Sequence, residues 1–256
     1  MAPPFHFLSV QSDENGSSTQ FNGTNRQMPS CQLELFQTDD FMGKVKNSLQ
    51  KWIDAQCAVQ LSEHQRSAIQ LCFVRDLWNS ICETFRDNFA CYELVVHYEM
   101  SKKHIVSGNE LGVPDVCMLL TSCFADMNFK CIPRMTRLFA GADLSDDASF
   151  YTAGSSFTRN FPTIAHLSPN PALYVARGTI PAVFVYRIVG MVEGIFCGRL
   201  FVGSASNTTA VIFPQQAKMT ITHTEQRNFD KVYINDRDGC GKVQKSLTVI
   251  YIDVNL

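Results

Sequence analysis

The apolar residues of this chain change their spacing once, near residue 134, and that change restricts the fold more than any short motif does. Before it the spacing is helical. Phe41, Val45, Leu49, Trp52 and Ile53 share one face of a helix expected over 39–55. Leu61-Ser62-Glu63-His64-Gln65 then reads as a helix start. The Ser62 hydroxyl accepts from the Gln65 amide while the Gln65 side chain reaches back, with Leu61 placed to staple the turn. Ala68, Ile69, Cys72, Phe73 and Leu77 continue that helix, and Ile81 and Phe85 point to another segment after Trp78. A further helix is expected over 113–127, where Pro114 is tolerated in the first turn.

After residue 134 the apolar runs are short and are broken by Gly, Pro, Asn and Asp. They are Met135–Ala140, Ala182–Val189, Thr209–Phe213, Lys218–His223, Lys231–Ile234 and Leu247–Val254. In the last run Thr248, Ile250, Ile252 and Val254 form an apolar face, while Leu247, Val249, Tyr251 and Asp253 form a mixed one, as in a strand within a packed sheet. Asp238-Gly239 marks a turn between the last two runs. Helices first and strands afterwards, without regular alternation, predict an α+β fold rather than a doubly wound sheet.

Composition narrows the function classes. The 256 residues are 45% hydrophobic and carry 22 Lys+Arg against 24 Asp+Glu, a net charge of -2. Such a chain buries a core, apart from a polar segment over 1–35 that reads as a disordered tail ahead of a single domain over 36–256, with a helical part over 36–130 and a β core over 131–256. The balanced charge argues against a nucleic-acid partner held through phosphates, which needs a basic surplus. No apolar run reaches the roughly 20 residues that cross a bilayer, and the polar start lacks a secretory leader, so neither membrane nor export is expected. The sequons at Asn22 and Asn207 carry little weight without a leader.

Ten cysteines (31, 57, 72, 82, 91, 117, 123, 131, 197 and 240) contain no C-x-x-C pair. Several lie among Ile, Leu and Phe, so they read as buried reduced thiols of a cytoplasmic protein, with secretion by an unrecognised route as the alternative. The six His are scattered and none pairs with a second ligand at helical spacing, so no metal site is expected. Phosphate-binding glycine loops, the nucleophile elbow and zinc-protease helices are also missing from the sequence.

Taken in order, the segments resemble the catalytic domain of mono-ADP-ribosyltransferases of the arginine-specific, toxin-related kind. The helices at 61–86, with Ala68, Ile69, Asn79 and Phe85-Arg86, are similar to that family's opening helices. Residues 131–145 resemble the first core strand, which ends in Tyr-Arg-Gly, here Phe139-Ala140-Gly141. Residues 150–160 lie where the family places its Phe-x-Ser-Thr-Ser strand. Residues 204–221 are similar to the segment containing Glu-x-Glu-Val-Leu-Ile-Pro, here Thr208-Thr209-Ala210-Val211-Ile212-Phe213-Pro214.

The resemblance implies a mixed, split β-sheet core behind N-terminal helices, and NAD as substrate or ligand. It also implies glycosyl transfer of ADP-ribose to a protein target. In the family the strand-end Arg holds the diphosphate through paired charge-assisted bonds. A Glu stabilises the positive charge that develops on the ribose as nicotinamide leaves. Here those positions hold Ala140 and Ala210, with Thr208 at the accessory Glu, so activity is expected to be weak or lost, leaving a binding or regulatory role. Gly141 and the hydroxyls of Ser155, Ser156 and Thr158 are the implied cofactor contacts. Arg159 either reaches the diphosphate or is a solvated cation, and Phe161 either stacks on nicotinamide or belongs to the core. An active enzyme with substitute residues and an unrelated α+β interaction protein remain as alternatives.

Overall fold

A computed structural model describes residues 42–86, 104–106, 109–125, 131–144, 151–176, 179–200, 209–228, 233–235, 241–243 and 246–255. The tail over 1–35, Thr208, both sequon asparagines and the Asp238-Gly239 turn lie outside these residues.

Three helices open the fold: α1 (Met42–Ala58), α2 (Glu63–Leu71) and α3 (Arg75–Arg86). The capping box forms as expected. The Gln65 amide donates to Ser62 Oγ at 3.1 Å, and the Ser62 amide donates to Gln65 Oε1 at 3.0 Å. A short hairpin, β1 (His104–Val106) and β2 (Asn109–Leu111), precedes α4 (Val113–Ala125). The strands β3 (Arg137–Asp143), β4 (Ser156–Thr158) and β5 (Thr163–His166) follow, then α5 (Pro169–Val175). The remainder is β6 (Pro181–Ile188), β7 (Ile195–Phe196), β8 (Ala210–Phe213), β9 (Lys218–Asn228), β10 (Tyr233–Asn235), β11 (Gly241–Val243) and β12 (Ser246–Asn255).

Eight strands form one mixed sheet in the order β4-β9-β12-β6-β3-β5-β8-β7. Only the β12–β6 ladder within it is parallel, running from Thr248 opposite Ala182 to Val254 opposite Ile188. β3 pairs with β6 along its whole length, from Arg137 opposite Arg187 to Asp143 opposite Pro181. Its other edge meets β5 through a single residue pair, Phe139 opposite His166. The sheet is therefore two blocks, β4-β9-β12-β6-β3 and β5-β8-β7, joined at one point. This is the split core expected from the sequence.

Several element boundaries differ from expectation: the helix expected to run from Glu63 through Leu77 ends at Leu71 and a second begins at Arg75, and β9 runs on from His223 to Asn228. Two further differences have identifiable reasons. The first core strand begins at Arg137 rather than Met135, because Met135 takes φ 67° and the Thr136 amide closes a turn onto the Pro133 carbonyl at 3.1 Å. The β5–α5 unit escaped the periodicity reading because prolines crowd it. Pro169 is tolerated as the first residue of α5, where its missing N–H costs nothing.

The core has two faces. On one, α2, α3 and α4 bury Ile69, Trp78, Ile81, Val116 and Leu120 against Ile164, Ala210 and Ile212, while Ala172 of α5 and Ala176 just after it pack over Phe139, Val183 and Val249. On the other, Leu138, Ala140, Phe184, Tyr186, Val211, Phe213, Ile250 and Ile252 form an apolar layer with Trp52 of α1. The alternation in β12 follows this division. Ile250, Ile252 and Val254 enter that layer, Leu247 and Val249 lie under α5, and Tyr251 and Asp253 stay partly exposed.

Candidate functional site

Beyond the Phe139–His166 pair the two blocks part. Antiparallel continuation would set Gly141 beside Ile164, but no ladder pair forms there. The gap holds a recess lined by Trp78, Ala140, Arg159, Phe161, Pro162, Thr163 and Ile164. Its volume is about 10 Å³, on the order of a single water. None of the seven lining residues carries a carboxylate.

Arg159 is the only charged residue among those seven, and it is 2% exposed. Its backbone carbonyl accepts from the Gln216 amide at 2.7 Å, which fixes the segment after β4 against the turn after β8. The guanidinium carbon lies 5.8 Å from the ring centroids of Phe157, Phe161, Phe184 and Tyr186. Nη1 donates to the buried Thr163 hydroxyl at 3.4 Å. Burial of a cation at this depth costs several kcal/mol by desolvation. Aromatic faces offset part of that through their quadrupoles, each by about 0.5–2 kcal/mol. Arg86, at the end of α3, adds a second guanidinium 5.4 Å from the Phe161 centroid.

Ala210 opens β8 and is fully buried opposite His166. His166 itself is 7% exposed, and its Nδ1 has no hydrogen-bond partner among the described residues. Burial pulls its pKa down to about 4, so the imidazole is neutral at pH 7. The register puts His166, Phe139 and Ala210 on one face, and alternation turns Ala140 to the other, against Phe184 and Tyr186.

The recess thus unites three of the residues singled out from the sequence, Ala140, Arg159 and Phe161, and leaves the others elsewhere. Ser156 and Thr158 lie exposed on the edge strand β4, and Ser156 Oγ is 2.9 Å from Thr220 Oγ1 on β9. Ser155 Oγ is 3.0 Å from Thr152 Oγ1. Gly141 is occluded by α5: an added Cβ would press into the Ala172 carbonyl and stand 2.7 Å from Ala176 N. β8 pairs with β5 and β7, whereas the serine-rich strand β4 pairs with β9. Thr163 and Trp78 were missed in the sequence. The only available signal for Thr163 was a lone hydroxyl following Phe161-Pro162.

No family model and no curated protein matches the sequence. Solved structures do match the fold. The chain is similar to an ADP-ribosyltransferase from Clostridium botulinum, with 12% identity, a TM-score of 0.50, and 84% of this chain and 96% of that one covered. It is equally similar to Plx2a, an ADP-ribosyltransferase toxin from Paenibacillus larvae, with 13% identity, a TM-score of 0.51, and 83% and 95% covered. The ADP-ribosylating toxin BECa of C. perfringens, solved with NADH, matches at 8% identity and a TM-score of 0.50, covering 84% of this chain and 48% of that one. The fold is that of the ADP-ribosyltransferase toxins. At about 10 Å³ the recess is far smaller than the roughly 300–1,000 Å³ of pockets that take drug-sized ligands.

Proposed function

We propose that this chain keeps the ADP-ribosyltransferase fold as a binding or regulatory module and has lost transfer of ADP-ribose from NAD. The observation that carries this reading is the recess between the sheet blocks, water-sized and lined by no carboxylate among the described residues. Cleavage of the nicotinamide bond builds positive charge on the ribose, which a placed anion stabilises. Loss of one such electrostatic group costs about 3–4 kcal/mol. Ala210 supplies no charge, and the imidazole opposite it is neutral at pH 7. Ala140, which stands in the middle of β3 rather than at its end, likewise offers no guanidinium to a diphosphate.

One observation favours a second reading, an enzyme with substitute residues. Arg159 stands beside Ala140 in the same recess and carries a charge of the kind that Ala140 lacks. In that reading Arg159 takes the diphosphate and Phe161 the nicotinamide ring, with NAD as substrate.

As a module the chain acts through a protein partner. Five of the described cysteines are buried in the core, where Cys packs as a small apolar group, which fits reduced thiols in a compartment such as the cytoplasm. Among the described residues no helix is long and apolar enough to cross a membrane, and no group of His, Cys, Asp or Glu could hold a metal.

Calorimetric titration of the folded chain with NAD separates the two readings. The module reading expects no saturable heat up to millimolar NAD. Saturable binding that Arg159→Lys weakens, accompanied by nicotinamide release, would establish the substitute-residue enzyme instead, because Lys cannot reproduce the planar, paired contact.

A further inference from the structure

Two exposed methionines are held side by side where β3 begins and β6 ends. Met191 is 69% exposed and Met135 36%, two of the four large apolar side chains exposed among the described residues. The Ile132 amide donates to the Val192 carbonyl at 2.8 Å, and the Ile188 amide to the Thr136 carbonyl at 3.0 Å. Segments 133–135 and 189–191 are therefore bracketed by the same two pairs. The Met135 amide donates to the Ile188 carbonyl at 2.6 Å, while those of Val189 and Gly190 donate to the Val254 carbonyl at 3.0 Å and 3.4 Å. Both segments are thus tied to the sheet. The turn keeps Met135 at φ 67°, which glycine would adopt freely, so an apolar side chain is presented here at a cost in stability.

Polar pairs stand just beyond the bracket. Arg137 opposes Arg187 at one end, and Cys131 opposes Glu193 at the other. Ile132, Ile188 and Val192 enter the apolar layer, so alternation turns those four neighbours, and Met191, to the opposite face. Asp253 accepts from Arg187 through two bonds of 2.7 Å, which leaves two guanidiniums and one carboxylate at the first end. The second end carries the Glu193 carboxylate. The strip is positive at one end, negative at the other and apolar between.

We propose that this strip seats a second copy of this chain, related by a two-fold axis lying across the strands. That rotation lays Arg187 over Glu193 of the second copy and Arg137 over Cys131 of the second copy. The methionines meet in between, where their unbranched thioethers adapt to one another. An isologous contact requires a self-complementary surface, and opposite charges at the two ends supply it. An axis along the strands would instead set Arg137 over Arg187 of the second copy, so the charges also select the orientation. A uniformly acidic or basic partner would meet a like charge at one end. The strip is two strands wide, so the contact belongs among small interfaces, below about 1,200 Å² in total, and the dimer is weak. This association is separate from the recess and from any use of NAD.

Sedimentation equilibrium of the full chain from micromolar to millimolar concentration tests it, with circular dichroism to show that each variant is folded. Wild type should pass reversibly from monomer to dimer. Met191→Glu should raise the dissociation constant at least about tenfold, and its solvent exposure spares the fold. Met118→Glu, at an exposed position on α4, should leave it unchanged. Arg137→Glu and Glu193→Arg should each weaken the dimer several-fold, and combining them should restore it, because the two ends then exchange sign. A wild-type monomer at millimolar concentration would overturn the proposal. So would a dimer indifferent to Met191→Glu, or a folded combined variant weaker than either single one. None of these outcomes bears on NAD binding, so the proposal and the module reading fail separately.

Discussion

Phe139 on β3 stands directly opposite His166 on β5, and this single pair joins the two blocks of the sheet. The pair also orders the site. On one side of it His166 faces Ala210 across the β5–β8 ladder. On the other the strands separate around Ala140, Arg159 and Thr163. A buried imidazole at this join couples proton binding to the integrity of the sheet.

That coupling predicts acid sensitivity. The folded pKa of His166 lies at about 4, below its ordinary value of 6.5, so the unfolded chain binds the proton more tightly. Stability is therefore full above about 6.5 and falls as pH drops towards 4, by about 3 kcal/mol in total from this residue. Chemical denaturation between pH 7 and pH 4 measures the slope. His166→Leu should flatten it, and a variant with the wild-type slope would assign the acid sensitivity to other groups.

Gly141 makes a separate prediction about packing. Its missing Cβ lets α5 lie against β3, with Ala176 N only 2.7 Å from where that atom would stand. Gly141→Ala should cost roughly 1–3 kcal/mol by overpacking. Urea denaturation reads the loss, and a neutral result would mean that α5 can lift without penalty.

How much of this was legible in the sequence varied with the range of the interaction. The Ser62–Gln65 capping box and the two-faced alternation of β12 are local patterns, and both appear as read. The start of β3 was misplaced by two residues because a positive φ at Met135 leaves no mark in hydrophobicity. The recess was not legible as such. It depends on which strand faces β8, and a serine-rich surface strand resembles a hydroxyl site more than the buried Thr163 does. Arg159 was singled out, but only tertiary structure shows its burial among four rings.

The outer face of β9 and β12 offers a test of surface electrostatics. Tyr251 donates its hydroxyl proton to Glu225 Oε1 at 2.7 Å, and Arg227 donates to the same carboxylate at 2.6 Å. Burial, then the Glu225 hydrogen bond, push the Tyr251 phenol up to about 12. Ultraviolet titration of Glu225→Gln should bring it back towards 10, its ordinary value. Tyr251→Phe should cost about 1 kcal/mol, because the network is partly exposed. An unshifted phenol in wild type would contradict the network.

The cysteines sort by exposure. Cys57 and Cys131 are exposed, whereas Cys72, Cys82, Cys117, Cys123 and Cys197 are buried. Burial pushes the Cys117 thiol up to about 12 and Cys72 well above its usual range. Thiolate is the reactive form, so brief alkylation of the native chain should label Cys57 and Cys131 and spare those five. Peptide mass spectrometry decides it, and rapid labelling of Cys72 would show that the helical layer opens.

The central claim is that the fold has outlived its reaction. Its most direct test is chromatographic measurement of nicotinamide release from NAD by the folded chain over hours, against a heat-denatured control. The account predicts that the two are indistinguishable, given an alanine at the start of β8 and a recess lined by no carboxylate among the described residues. Release above the control that is lost in Arg159→Lys would contradict it and make this chain an enzyme with a rebuilt site.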